Sequence, residues 1–234
     1  FFLSANTNFK VVNLDLLTYA GDLQNLNAVE ENTRYTFVKG DICDRNLVES
    51  LFQKYNFNGV IHFAAESHVD NSIKSPDAFV KTNVFGAFNV LDVARNFWMH
   101  VPNQYKKGFK SSRFHHISTD EVYGSLGESG LFTEQTPYAP NSPYSASKAS
   151  SDFLVRSYFH TYGMNVVTTN CSNNYGPKQH AEKLIPTIIR KAISGEAIPI
   201  YGDGKNIRDW LYVEDHCKGI NLVFQQGKAG QTYN

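Results

Sequence analysis

Asp120 and Glu121 stand side by side in STDEVYG (118–124), directly after the apolar run RFHHI. Adjacent acids repel, and the end of a strand is an odd place for them, which raises the question of what chemistry needs an aspartate and a glutamate together. Further on, SPYSASK (142–148) places Tyr144 and Lys148 four residues apart, on one face of a helix. An ammonium beside a phenol favours the phenolate, and nearness to a helix N-terminus adds to the effect. Tyr144 is therefore expected to serve as a base at about neutral pH. Thr119, just ahead of the acids, offers a hydroxyl to the same site.

These residues need a scaffold, and the chain alternates short apolar runs with helical patterns. Strands are predicted over 10–15, 35–41, 58–67, 113–119 and 165–172, and their near-continuous apolar character suits strands covered on both faces. Helices are predicted between them. Residues 44–55 turn Leu47, Leu51 and Tyr55 inward, and residues 75–98 turn Phe79, Val84, Phe88, Leu91 and Ala94 inward. A third helix over 142–163 opens on Ser-Pro and closes on Gly163. The alternation predicts an α/β fold with a doubly wound parallel sheet of Rossmann type, whose ligands bind beyond the carboxyl ends of the strands. An NAD-binding domain is assigned to 1–172, and a partial substrate lobe, interleaved with the end of the sheet domain, to 173–234.

That rule picks out the strand ends. Asp15 ends the first run, where an acid would accept hydrogen bonds from a ribose diol and repel a 2′-phosphate, favouring NAD over NADP. Capping and turns use Asp as freely. Asp41 and Ile42 end the next run, where an adenine could lie or a turn could form. Ala64 and Ala65 are small enough for close backbone approach, and equally suit tight helix–sheet packing. Asn173 and Asn174 bring amides to the same edge.

Composition excludes other classes. Lys plus Arg and Asp plus Glu both total 22, so the excess of cations that nucleic-acid binding rests on is missing. The basic stretch NQYKKGFKSSRF reads as a solvated loop. A content of 41% hydrophobic residues supports a real core, yet no run approaches the length of a membrane span. Cys43, Cys171 and Cys217 are too few and too widely spaced for a disulfide framework or a metal knuckle, which suggests a cytoplasmic protein with reduced thiols. No GxSxG elbow is present. His115 and His116 fall inside a strand and should face opposite sides, while His62 and His68 lack partners at metal spacing, so no metal is expected. The chain does not begin with Met, and its first ten residues read like the tail of a helix entering a strand. It is expected to be a piece of a longer protein.

Taken together, LDLLTYAG (14–21), GDICD (40–44), HFAAESHVDNSI (62–73), STDEVYG, SPYSASKASSD (142–152), TNCSNNYGP (169–177), EKLIP (182–186), PIYGDGKNIRDWLYVEDH (199–216) and GQTYN (230–234) carry a resemblance. The chain resembles the extended short-chain dehydrogenase/reductases and, among them, the dTDP-glucose 4,6-dehydratases. YxxxK marks only the superfamily, whereas STDEVYG separates the dehydratases from epimerases. The resemblance implies conversion of dTDP-glucose to its 4-keto-6-deoxy derivative. Tyr144, helped by Lys148 and Thr119, would take the C4 hydroxyl proton while hydride passes to NAD. Glu121 would then remove the C5 proton and Asp120 protonate the leaving C6 hydroxyl. It also implies cofactor contacts at Asp15, Leu16, Leu17, Thr18, Asp41, Ile42, Phe63, Ala64, Ala65, Thr82, Tyr144, Lys148 and Asn174. Substrate contacts are implied at Ser67, Thr119, Asn173, Lys183, Leu184, Pro199, Tyr201, Arg208 and Asn234, with Arg208 a natural partner for pyrophosphate. A homodimer built on the helices at 75–98 and 143–162 is implied as well. The family's first strand and GxxGxxG turn are expected to lie outside this chain, and activity is expected of the full-length protein. Two alternatives stand beside this reading: a dehydratase for another nucleotide sugar such as UDP-glucose, and a non-catalytic nucleotide-sugar-binding protein of the same fold.

Overall fold

A computed structural model of the chain describes residues 1–127, 129–200 and 202–234. In chain order, its first elements are α1 (Phe2–Ala5), β1 (Val11–Asp15), β2 (Tyr35–Lys39), α2 (Arg45–Tyr55), β3 (Gly59–His62), α3 (Val69–Lys74) and α4 (Pro76–Phe79). A π-helical stretch (Val80–Gly86) joins α4 to α5 (Ala87–Trp98), followed by β4 (Met99–Val101), β5 (Gln104–Tyr105) and β6 (Arg113–Thr119). Then come α6 (Pro143–Tyr162), β7 (Val166–Cys171), β8 (Asn173–Tyr175), α7 (Leu184–Ser194), β9 (Trp210–Tyr212), α8 (Val213–Gln226) and β10 (Thr232–Tyr233).

The sheet is parallel, as the alternation of strands and helices predicts. Its strands run in the order β10-β7-β6-β3, and β1 pairs in parallel with β2. No ladder joins β1 to β3 among the described residues. β6 lies at the centre, and every residue from Phe114 to Thr119 is buried. Helices α5 and α6 cover one face, and α8 packs on β7 from the other. His115 and His116 accordingly face opposite sides and are both fully buried: His115 stacks on Phe224 of α8, and His116 lies against Asp152 of α6. The main core gathers Phe52, Leu91, Trp98, Phe114, Val155 and Val166. Each such side chain contributes about 1.5–3 kcal/mol on burial. Trp98 also satisfies its indole N–H on the Phe57 carbonyl at 2.7 Å.

α6 forms where its caps dictate. Ser142 accepts from the Ser145 amide, Ser145 reciprocates in a capping box, Pro143 fills the first turn, and Gly163 closes the helix at φ 66°. The inward faces of two other helices differ from the sequence reading. α2 buries Val48, Leu51 and Phe52, with Leu47 half-buried. In the helix that follows α4, Val84 and Phe88 are only half-buried, and α5 turns Ala87, Val90, Leu91, Val93 and Ala94 inward. The π stretch supplies the reason: its wider turn inserts a residue and rotates the later face. β3 ends at His62, leaving Phe63 to Ser67 as irregular backbone at the strand end. The basic stretch expected to be a loop instead begins with an antiparallel hairpin, β4–β5, turned at Asn103 with φ 62°. β8 and β9 pair in parallel as a separate small sheet, while α8 and β10 return to the main sheet.

Candidate active site

Beyond the end of β6, Thr119 caps a 3-10 turn, Asp120–Tyr123, by accepting from the Glu121 amide at 3.3 Å. Gly124 then adopts φ 89°, a left-handed conformation closed to most side chains, as the chain passes tightly over Ala139. The Ala139 amide donates to the Val122 carbonyl at 3.0 Å, clamping the turn. Burial holds both carboxyls of the pair above the usual range. Beside Glu121, the Asp120 charge adds to the rise while Arg208 and Lys183 oppose it. Around Asp120, the Thr119 hydroxyl and the turn's own amides oppose it. Burial thus outweighs adjacency in keeping these acids protonated more readily.

α6 packs against β6 and β7 and delivers Tyr144 and Lys148 from one face, both buried. The ammonium of Lys148 donates to the Ile117 carbonyl at 2.7 Å. The phenol of Tyr144 departs from expectation. Burial, reinforced by the Glu121 charge, pushes it well above the ordinary value, with the Thr119 hydroxyl working in the opposite direction. In this state the tyrosine is protonated, because desolvation of a phenolate outweighs a cation one helical turn away.

Most cofactor-side candidates lie at or just past the ends of β1, β2 and β3, while Thr82 lies in the π stretch and Asn174 in β8. Asp15 accepts from the Leu17 amide at 2.7 Å, and Leu17 itself sits at φ 54°. Asp41 accepts from the Cys43 amide at 2.8 Å. Each acid therefore holds a turn, and Asp15 remains exposed. Ile42 buries its side chain in the core while its carbonyl accepts from Asn89. Leu16 and Phe63 are exposed apolar side chains at this edge, Thr18 is exposed, and Ala64, Ala65 and Thr82 are half-buried. Asn174 donates to the Ser172 carbonyl at 3.1 Å and leaves its own buried oxygen without a partner. An edge of exposed apolar side chains, an accessible acid and an unpaired amide oxygen fits a ligand with flat rings and hydroxyls such as NAD.

Of the substrate-side candidates, Lys183 and Arg208 approach Glu121. Asn234 accepts from the Tyr123 hydroxyl at 2.8 Å, which brings it to the same turn. Ser67, Asn173, Leu184 and Pro199 are exposed, and Tyr201 lies outside the described residues. Two residues escaped the sequence reading. Glu182 accepts from the Tyr19 hydroxyl at 3.1 Å and lies near His68, His180 and Lys183, joining three of the quoted stretches. Its position beside Lys183 in EKLIP was the available signal. Asn83, buried on the π stretch, bonds both the amide and the carbonyl of Glu66 and donates to Ser147 of α6. An amide among apolar neighbours was its only mark.

A model of the GDP-mannose 4,6 dehydratase family matches residues 1–234. The chain belongs to this family. Among similar proteins, a dTDP-glucose 4,6-dehydratase of Xanthomonas campestris pv. campestris is 57% identical over 99% of the chain. The chain spans 65% of that relative's length. A crystal structure of a dTDP-glucose 4,6-dehydratase from Bacillus anthracis in complex with NAD superposes with a TM-score of 0.87 at 42% identity, covering 100% of this chain and 68% of that one. A UDP-glucuronic acid 4-epimerase from Bacillus cereus, in complex with UDP-glucuronic acid and NAD, superposes with a TM-score of 0.86 at 25% identity, covering 98% of this chain and 70% of that one. Dehydratases and epimerases thus share the scaffold that the family member described here adopts.

Proposed function

We propose that this chain carries the catalytic residues of an NAD-dependent dTDP-glucose 4,6-dehydratase. The observation that carries the reading is the adjacent pair of half-buried carboxyls, Asp120 and Glu121, both held above the usual range by burial, near the phenol of Tyr144 and within the influence of Lys183 and Arg208. The dTDP-glucose 4,6-dehydratase names of relatives at 57% and 54% identity support the substrate.

When bound, NAD would supply the hydride acceptor for C4 of the sugar and the hydride donor for C6. Asp15, Leu16, Leu17, Thr18, Asp41, Ile42, Phe63, Ala64, Ala65, Thr82, Asn174, Tyr144 and Lys148 are the residues that would hold it. As a phenolate stabilised by the Lys148 ammonium and the Thr119 hydroxyl, Tyr144 would take the C4 hydroxyl proton while that carbon becomes a ketone. The protonated phenol described above must first give up its own proton. The ketone acidifies the C5 hydrogen. Glu121 removes that proton while Asp120 donates one to the departing C6 hydroxyl, so water leaves across C5–C6. Hydride at C6 and a proton at C5 complete the 4-keto-6-deoxy sugar. Two acids with pKa values held up by burial suit this step, since one must give a proton as the other takes one. Ser67, Asn173, Lys183, Leu184, Pro199, Tyr201 and Asn234 are assigned to the substrate, and Arg208 to its pyrophosphate.

The finer setting belongs to the same reading. Residues 1–172 serve the cofactor and 173–234 supply part of the substrate lobe. No described helix is long and apolar enough to cross a membrane, and a cytoplasmic enzyme is proposed. Ile73, Val80 and Phe85, together with Phe153 of α6, expose apolar side chains on neighbouring helices, which supports a homodimer through that face. The deciding experiment is incubation of the full-length protein with NAD and dTDP-glucose, with mass analysis of the product. Loss of one water is expected. An unchanged mass contradicts the dehydratase, and faster dehydration of UDP-glucose would reassign the nucleotide.

A further inference from the structure

A second polar layer lies beneath the reacting groups, and the proposed chemistry does not use it. Asp152 follows Lys148 by one helical turn on α6, and both are buried toward β6. The Ser118 hydroxyl donates to Asp152 Oδ2 at 2.8 Å, and the Tyr138 hydroxyl donates to the same oxygen at 2.9 Å. His116 Nε2 stands 3.1 Å from Oδ1 but out of line for a hydrogen bond, leaving that oxygen without a donor.

Hydrogen bonding alone does not require an acid here. The carbonyl of an asparagine could accept from both hydroxyls equally well. The requirement comes from Lys148, a cation taken out of water with one bond to the Ile117 carbonyl. The groups around it come from four elements: Tyr144 and Asp152 of α6, His62 of β3, His116 of β6 and Cys171 of β7. Burial keeps both histidines neutral and pushes the Cys171 thiol up to about 11. Asp120 and Glu121, on the turn beyond, act on the Tyr144 phenol. Asp152, pushed up to about 6 by burial and held down by Lys148, lies one helical turn along α6 from the ammonium, beyond direct ion-pair contact. The two bond adjacent residues of β6, Ser118 and Ile117.

We propose that Asp152 is a positioning residue for the dehydration: its carboxylate is the buried counter-ion that keeps Lys148 an ammonium beneath the end of β6. The assignment rests on the reading of Tyr144 and Lys148 as the pair that handles the C4 hydroxyl. Asp152 touches neither sugar nor cofactor in this role. It acts through Lys148, while Ser118 and Tyr138 aim its charge.

The test compares the full-length protein with Asp152→Asn, which keeps the acceptor and removes the charge. The Lys148 side-chain carbon resonance, followed from about pH 6 to about pH 11, reports when the ammonium loses its proton. Its midpoint is expected to fall by about one pH unit or more in Asp152→Asn and to return in Asp152→Glu. Equal midpoints overturn the proposal, whether or not the protein turns over any sugar. In the unsubstituted protein, the Asp152 carboxyl carbon is expected to ionise before Lys148 titrates. A carboxyl still protonated at the Lys148 midpoint overturns the proposal without any variant having to fold. With dTDP-glucose and NAD, the alkaline limb of kcat should move down with the Lys148 midpoint. A limb that stays put while the midpoint moves removes the link to the reaction. Absence of turnover in the unsubstituted protein contradicts the dehydratase reading instead, and the two resonances still decide whether Asp152 is the counter-ion.

Discussion

Around the end of β6 the candidate residues are packed into the core: Thr119, Tyr144 and Lys148 are buried, and each is tied to a strand or a capped helix. The candidates of the 183–208 segment are built in the opposite way. Of the described ones, Lys183 and Leu184 stand at the start of a helix, α7, that buries none of its own residues, and Pro199 and Arg208 stand exposed beyond it. Ile189, Ile193 and Ile207 are likewise open to solvent. The contrast separates two tasks. Under the proposed function, the groups assigned to proton transfer are held in place before any ligand arrives, which is where electrostatic preorganisation gains most. On the same reading, the groups assigned to the substrate would take their final geometry from what they bind, at a cost in ordering side chains.

Three substitutions put that division under pressure. Tyr144→Phe should have the largest effect, lowering kcat by about a thousandfold through loss of the general base, with substrate affinity nearly unchanged. Initial rates of keto-sugar formation check it, and a matching rise in KM would erase the distinction between the regions. Arg208→Ala should raise KM about ten- to a hundredfold with kcat nearly intact, as expected for a charge-assisted bond to phosphate. A collapse of kcat instead would place the arginine among the reacting groups.

Glu121→Gln should show the smallest energetic change and the most informative sign. Burial raises the folded-state pKa of Glu121 above 4.5, so folding favours the protonated form. The resulting destabilisation is absent below about pH 4, grows as pH rises through the unfolded value, and levels off above the folded one. Glu121→Gln should therefore melt at a higher temperature than the parent at pH 7, and at the same temperature near pH 4. A variant less stable at pH 7 would mean that the ionised Glu121 is a net stabilising partner of Lys183 and Arg208.

Much of this arrangement was legible in the chain. Continuous apolar runs gave the strands, their ends gave the edge, and STDEVYG with SPYSASK gave the centre. What escaped depended on contacts between distant residues. The phase of α5 follows from a π turn that no local propensity marks, so Val84 and Phe88 were assigned too deep a position. The hairpin at 99–105 hid in a polar stretch because its pairing is only a few residues long. Glu182 and Asn83 matter through partners from 17 to 163 positions away. Tyr144 carried the instructive error: an ammonium one turn along the helix argued for a low pKa, and the depth of burial, invisible in a sequence, reversed the sign. Asp152 stood in view within SPYSASKASSD, yet Ser118 and Tyr138 had to be folded against it before its charge acquired a purpose.

The central claim is a closed hydride circuit within one sugar, with paired carboxyls expelling water between its two halves. Incubating the full-length protein with NAD and dTDP-glucose deuterated at C4, in ordinary water, follows the hydride directly. The account predicts a 4-keto-6-deoxy product with the deuterium at C6 and a solvent-derived hydrogen at C5. Deuterium returned to C4 of an intact hexose, or lost to solvent, would contradict it.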